Sequence, residues 1–135
     1  MIDLKASDIK SLRILLVEDN RINQMVASRL LERMGHTVTI ADNGLIAVEW
    51  IAQNKADLIF MDLQMPIMDG LTAAKEIRKW EVQENRQPIP IIAATANTSE
   101  EDKNNAFGAG MDDFLSKPLR GETLRAAIER QIIAA

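Results

Sequence analysis

Short, unbroken apolar blocks alternate along this chain with longer segments in which apolar residues return every three to four positions. The blocks are Ile14-Leu15-Leu16-Val17, Leu58-Ile59-Phe60-Met61 and Ile89-Pro90-Ile91-Ile92-Ala93-Ala94. A strand that is apolar at every position offers no face to water, so each block reads as a strand covered on both sides. Thr37-Val38-Thr39-Ile40 alternates instead and suits a sheet edge, and Phe114-Leu115-Ser116 is a brief fifth candidate. Between the blocks, Ile22, Met25, Val26, Leu30 and Met34 fall at helical spacing and read as the buried stripe of a first helix that Gly35 stops. Gly44 to Gln53 reads as a second helix with Ala47, Val48 and Ile51 turned inward, and Asp69 to about Glu81 as a third. Ser99 opens a fourth helix running to Gly108, with Phe107 its one large apolar anchor, and Leu124, Ala127, Ile128 and Ile132 mark a fifth.

Strand then helix, five times over, implies right-handed crossovers and an α/β fold: a doubly wound parallel sheet with helices on both faces. Pro88 and Pro90 flank the start of the fourth strand, where a missing N–H is tolerated. The 135 residues suit one domain. Residues 1–10 are polar and read as a leader or linker, and residues 11–135 as the folded domain.

Composition removes several kinds of chemistry. The absence of cysteine excludes disulfides, thiolate metal sites and Cys nucleophiles, and a single histidine excludes a His-rich metal site. Sixteen basic residues against twenty acidic ones give a net charge of −4, a poor balance for wrapping nucleic acid or lying on an anionic membrane. No apolar run approaches a membrane span and no signal-peptide core opens the chain, so a cytoplasmic domain is expected.

Open parallel sheets bind ligands beyond the carboxyl ends of their strands. There the sequence places Glu18, Asp19 and Asn20 after the first strand, Asp62 at the end of the third, Thr95, Ala96 and Asn97 after the fourth, and Lys117-Pro118 after the fifth. If the first and third strands are neighbours, Glu18, Asp19 and Asp62 converge. Carboxylates so placed repel one another or take up a cation, and few carboxylates with room for water favour Mg²⁺. An ammonium from Lys117 and a hydroxyl from Thr95 turn such a point into a phosphoryl site, with Asp62 free to act as the nucleophile. A single strand-end Asp is ordinarily a helix cap. Four strand ends carrying such groups together are not explained that way.

Those residues resemble the receiver domain of two-component response regulators. Leu16-Val17-Glu18-Asp19-Asn20 resembles the family's acidic motif, and Met61-Asp62-Leu63-Gln64-Met65-Pro66-Ile67-Met68-Asp69-Gly70 its phosphoacceptor loop. Ala94-Thr95-Ala96 and Lys117-Pro118 complete the set in order, and the likeness spans roughly residues 11–135. Asn20 and Gln64 resemble the receivers of hybrid histidine kinases in particular. The resemblance implies a flavodoxin-like (βα)5 fold with strand order 2-1-3-4-5 and a cis Lys117–Pro118 bond. It implies that Asp62 accepts phosphate from a phosphohistidine, that Glu18, Asp19, Asp62 and the Gln64 carbonyl hold Mg²⁺, and that Lys117 and Thr95 contact the phosphoryl group. It further implies that the aspartyl phosphate shifts the face made by the fourth helix, fifth strand and fifth helix.

The partners implied are a histidine kinase domain or a histidine phosphotransfer protein, with no direct nucleic-acid or membrane contact and any kinase activity elsewhere. Phe114 stands where the family keeps its switch aromatic, though the position equally suits a plain core residue. Gln64 and Asn97 occupy the two positions that tune phosphoryl lifetime in the family. Both are amides that cannot act as a base for water, so slow self-hydrolysis is expected. The fourth helix, rich in acids and Asn, should be the loosest part of the fold. Leu45, Ile46 and Trp50 fall off the buried face of the second helix, where Trp80 could join them. His36 reads as a turn residue, Asp42 as a cap, and Asp112 and Asp113 as lying at the wrong end of the sheet for the site.

Three rival readings share parts of the pattern. A flavin carrier of the same fold needs a first loop that cradles phosphate, and Glu18 and Asp19 would repel it. A hydrolase with Asp62 as nucleophile usually carries a second acid where Gln64 stands. A degenerate receiver used only for docking would not need the acids, hydroxyl and lysine intact. The stretch after Pro118 suffices for one last helix, so no output domain is expected. A receiver from a hybrid kinase and a stand-alone regulator both remain open.

Overall fold

Ten elements alternate among the described residues: β1 (Arg13–Val17), α1 (Arg21–Arg33), β2 (Thr37–Ala41), α2 (Gly44–Ile51), β3 (Leu58–Asp62), α3 (Gly70–Gln83), β4 (Ile91–Thr95), α4 (Glu100–Gly108), β5 (Asp113–Ser116) and α5 (Gly121–Ile132). The computed structural model describes residues 11–132, so the leader reading for residues 1–10 lies outside the described residues. All strand pairs are parallel, in the order β2-β1-β3-β4-β5. The alternating strand is an edge, and the unbroken apolar blocks are the three central strands, as their patterns require.

Successive side chains of a strand point to opposite faces, and this divides the core in two. Leu15, Val17, Ile59, Met61, Ile91 and Ala93 face Ala47 and Ile51 of α2, Ala73, Ala74 and Ile77 of α3, and Ala106 of α4. Ile14, Leu16, Leu58, Phe60 and Ile92 face Ala27 and Leu31 of α1 and Leu124, Ala127 and Ile128 of α5. Alanine recurs where helices meet the sheet because a small side chain lets the backbones approach. Phe60 is buried, and sinking a ring of that size stabilises by ~2–3 kcal/mol.

Asn20, Asn43, Asp69 and Ser99 each accept a hydrogen bond from a backbone N–H in the first turn of α1 to α4, and so fix where those helices begin. Asn43, not Asp42, caps α2. It stands directly before Gly44 and accepts the Ile46 N–H at 2.9 Å, and Asp42 turns instead toward Gln24.

The stripe expected on α1 holds only at its carboxyl end, where Leu30 and Met34 pack partly buried against the core. Gln24, Ala27 and Leu31 face the sheet, while Ile22, Met25 and Val26 are exposed, Ile22 by 70%. Both stripes have helical period. The one with the small alanine permits close packing on the sheet, and the bulkier residues are left outside. On α4, Phe107 is half exposed and Ala106 is the buried residue. One helical residue turns the chain by about 100°, so the two cannot share a face. Leu45 and Ile46 are exposed as expected, but Trp50 and Trp80 lie partly buried against the core, Trp80 beneath the Arg86 guanidinium. His36 does sit in the turn after α1, but it is buried, with Nδ1 accepting the Leu12 N–H at 3.1 Å.

Asp112 and Asp113 lie at the amino end of β5, at the opposite pole from the strand-end acids, as read from the sequence. There Arg78 joins α3 to the α4–β5 turn. Nε donates to the Gly110 carbonyl, Nη1 to Glu81 and Nη2 to Asp112, each at 2.8 Å. Glu81 is buried and also accepts the Ile89 N–H at 2.7 Å.

Candidate functional site

Register brings the acids together. Val17 lies opposite Met61 across the β1–β3 ladder, so Glu18 and Asp19, which follow Val17, meet Asp62, which follows Met61. One carboxylate oxygen from each of Glu18, Asp19 and Asp62 lies within 4.8 Å of the others. Glu18 and Asp62 are buried and Asp19 is exposed, so the group opens to solvent on one side. Asp62 stays in the last position of β3 while its Oδ1 accepts the Gln64 N–H at 3.2 Å. Glu18 Oε2 accepts the Asn20 N–H at 3.0 Å, which aims the carboxylate back over its own loop.

Lys117 follows the end of β5, and the bond from it to Pro118 is cis, as the family resemblance implies. Its Nζ lies 2.6 Å from Glu18 Oε1 and 3.1 Å from Asp62 Oδ2. Burial alone would lower the ammonium's pKa, but hydrogen bonds and charge from Glu18 and Asp62 outweigh it and raise the pKa above the ordinary lysine value. One ammonium against three carboxylates leaves the cluster negative. Compact oxygen donors with an open side suit a hard divalent cation, so the donor set fits Mg²⁺.

Thr95 ends β4, buried, with Oγ1 accepting the Asn97 N–H at 3.2 Å and its carbonyl accepting the Lys117 N–H at 2.9 Å. Asn97 and Gln64 are exposed at the rim. Phe114 stands apart from the acids. It lies opposite Ala93 on β5 and packs partly buried against the α2–α3–α4 side of the core. Lys103 of α4 places Nζ 5.9 Å from its ring centroid, a cation–π contact that no local pattern announces.

The loop after Asp62 is shaped by its neighbours. A Cβ on Gly70 would overlap the Asp62 carbonyl, so only glycine lets α3 begin there. Ile67 takes φ +72° inside a turn closed by Met68 N–H to the Pro66 carbonyl at 2.8 Å. A β-branched residue there is strained, and Ile67 is also 78% exposed. Beside the acids, Val26, Ala27, Pro118 and Leu119 line an apolar groove that Glu18, Asn23 and Lys117 border.

Gln24 is the neighbour the sequence reading missed. Its signal was a polar amide one turn before Ala27, on what proves to be the core face. Nε2 donates to the Glu18 carbonyl at 2.6 Å and to Asp42 Oδ1 at 2.8 Å.

A family model described as the response regulator receiver domain matches residues 14–129. Hybrid signal transduction histidine kinase K of Dictyostelium discoideum is 45% identical over 132 residues, which cover 95% of this chain and 11% of that protein. The sensor protein GacS of Pseudomonas syringae is 40% identical over 116 residues, covering 86% of this chain and 13% of its own length. The chain thus spans only a small fraction of these curated relatives. Among solved structures, the receiver domain of a Pseudomonas aeruginosa sensor histidine kinase, with magnesium coordinated in its active-site cleft, superposes with a TM-score of 0.79 at 40% identity, covering 89% of this chain and 96% of that one. A receiver domain from a Saccharomyces cerevisiae response regulator, crystallised with a histidine phosphotransfer protein, gives 0.85 at 36% identity, covering 90% and 88%. Among the described residues, no helix is long and apolar enough to cross a membrane.

Proposed function

The chain belongs to the response regulator receiver domain family of two-component signalling, and on that footing we propose that Asp62 is its phosphoacceptor, taking a phosphoryl group from a phosphohistidine. The observation that carries this reading is the meeting of Glu18, Asp19 and Asp62 beneath the Lys117 ammonium. In the transfer, an Asp62 carboxylate oxygen bonds to phosphorus as the P–N bond breaks, and the electron pair of that bond returns to the donor imidazole. Glu18, Asp19, Asp62 and the backbone carbonyl of Gln64 would hold Mg²⁺, which when bound offsets the charge gathering on the phosphoryl oxygens.

Lys117 now spans Glu18 and Asp62, so it already stands where a phosphoryl oxygen bound to Asp62 would meet it. Thr95 has its hydroxyl hydrogen free to donate, since Oγ1 serves Asn97 only as an acceptor. Drawing Thr95 inward would move the β4–α4 connection, and the exposed α4 and half-buried Phe114 are the parts that can follow; this is how phosphorylation would alter the α4–β5–α5 face. Gln64 and Asn97 cannot remove a proton from water, so the aspartyl phosphate should be long-lived.

The donor is a histidine kinase domain or a histidine phosphotransfer protein, and kinase activity belongs to another domain or chain. The apolar side chains of Ile22, Met25 and Val26, exposed beside the groove at Glu18 and Lys117, support protein docking at this end. The domain unit proposed is residues 11–135.

The test is intact mass after incubation with a small phosphodonor and Mg²⁺. One phosphoryl adduct that needs the metal and is lost in Asp62→Asn is the expected result. No adduct, even from a phosphohistidine donor, would leave the chain as a docking module only.

A further inference from the structure

Gln24 is a polar residue on the sheet-facing side of α1, in line with Ala27 and Leu31. An apolar residue would be cheaper there, because a buried amide must be hydrogen-bonded to be tolerated. Both bonds it donates go to the loops that carry or flank the acids. One holds the Glu18 carbonyl at 2.6 Å, and the other holds Asp42 at 2.8 Å, in the loop between β2 and α2. The Glu18 N–H is held by the Ala41 carbonyl, at the end of β2, at 3.0 Å. The peptide units on both sides of Glu18 are therefore fixed, one by the neighbouring strand and one by Gln24.

We propose that Gln24 is a positioning residue of the metal site, clamping the β1–α1 loop to the β2–α2 loop through Asp42 so that Glu18 and Asp19 are preset for Mg²⁺. It would not touch the ion itself and acts through the Glu18 backbone. This rests on the reading of the acid cluster as a Mg²⁺ site. Mg²⁺ demands near-ideal octahedral geometry, whereas Ca²⁺ accepts irregular and longer-range oxygen sets. A residue that sets ligand geometry therefore acts on the ratio of the two affinities. A residue that merely supports the fold, or supplies charge, acts on both alike.

The experiment is calorimetric titration of the unphosphorylated protein with Mg²⁺ and, separately, with Ca²⁺, with urea unfolding of each variant alongside. Gln24→Met keeps the length and bulk of the side chain and donates nothing. It should weaken Mg²⁺ by about tenfold or more, the range for outer partners of metal ligands, and Ca²⁺ much less. Asp42→Ala frees one end of the clamp at an exposed position and should reproduce part of the fall in the Mg²⁺/Ca²⁺ ratio. It carries the test if Gln24→Met does not fold. Asp42→Asn keeps the acceptor but loses the charge, and should leave the ratio unchanged. Equal weakening of both metals, or wild-type Mg²⁺ affinity in Gln24→Met, overturns the clamp alone. A wild-type protein that binds no Mg²⁺ overturns the metal site and the clamp with it.

Discussion

Arg78→Met should be the most damaging single change at the pole away from the acids. The guanidinium makes three bonds, and their losses are unequal. The Asp112 side chain is 41% exposed, so water replaces the arginine there at little cost. The Glu81 side chain is 3% exposed and keeps only the Ile89 N–H, so its charge is left buried without a counterion. Breaking a buried pair from one side costs ~3–5 kcal/mol. Arg78 is itself 20% exposed and its departure admits some water, which puts the estimate at the lower end, about 3 kcal/mol.

With a urea slope of ~2 kcal/mol per molar, the unfolding midpoint should fall by roughly 1.5 M, followed through the fluorescence of Trp80 on the same helix. Glu81→Gln keeps an acceptor for Ile89 and should cost about 1 kcal/mol. Because the arginine's loss acts through the stranded carboxylate, the double variant should cost less than the two single changes combined. A loss under about 1 kcal/mol for Arg78→Met, the range of a surface ion pair, would refute the reasoning, as would strict additivity.

Gly70→Ala should destabilise by more than ~2 kcal/mol, because the added methyl overlaps the Asp62 carbonyl and backbone must move; an unchanged urea midpoint would contradict it. Ile67→Asn, which relieves the positive φ at an exposed site, should stabilise by up to ~1 kcal/mol in the same assay. Burial holds the His36 imidazole below its ordinary 6.5, so the unfolded chain takes up that proton first. Stability tied to His36 is therefore complete above about pH 6.5 and is lost as pH falls through the folded value; comparing wild type with His36→Ala at about pH 7.5 and 5.5 should show the variant losing less. Amide exchange in α4, which buries only Ala106, should be faster than at Leu15 or Ile59, and equal protection would contradict the reading.

The sheet was legible because each central strand is apolar on both faces, a pattern with few other homes, and the strand-end acids followed once its order was known. What escaped was decided by choices that spacing leaves open. On α1, two stripes share one period, and the buried one was chosen by closeness of packing at Ala27 rather than by the size of its apolar residues. Phe107 looked like an anchor on bulk alone, yet the helix it sits on presents Ala106 to the sheet. Asp42 and Asn43 are adjacent and both able to cap. Only the reach to Ile46 and the pull of Gln24 separate them. The Arg78–Glu81–Asp112 group joins residues that are close only after β4 and β5 are paired, so no local pattern announces it.

The pairing of β1 also dictates an order of assembly. Its partners are all parallel, so none can be supplied by a tight turn. During synthesis β2 can reach it once one helix has been made, but Leu58, which lies against Ile14, follows only after a further helix. Until then the most apolar strand of the amino-terminal half has one edge unpaired. Chains halted between β2 and β3 should therefore be aggregation-prone, and the hazard passes to the open edge of β3 until β4 has been made to pair with it.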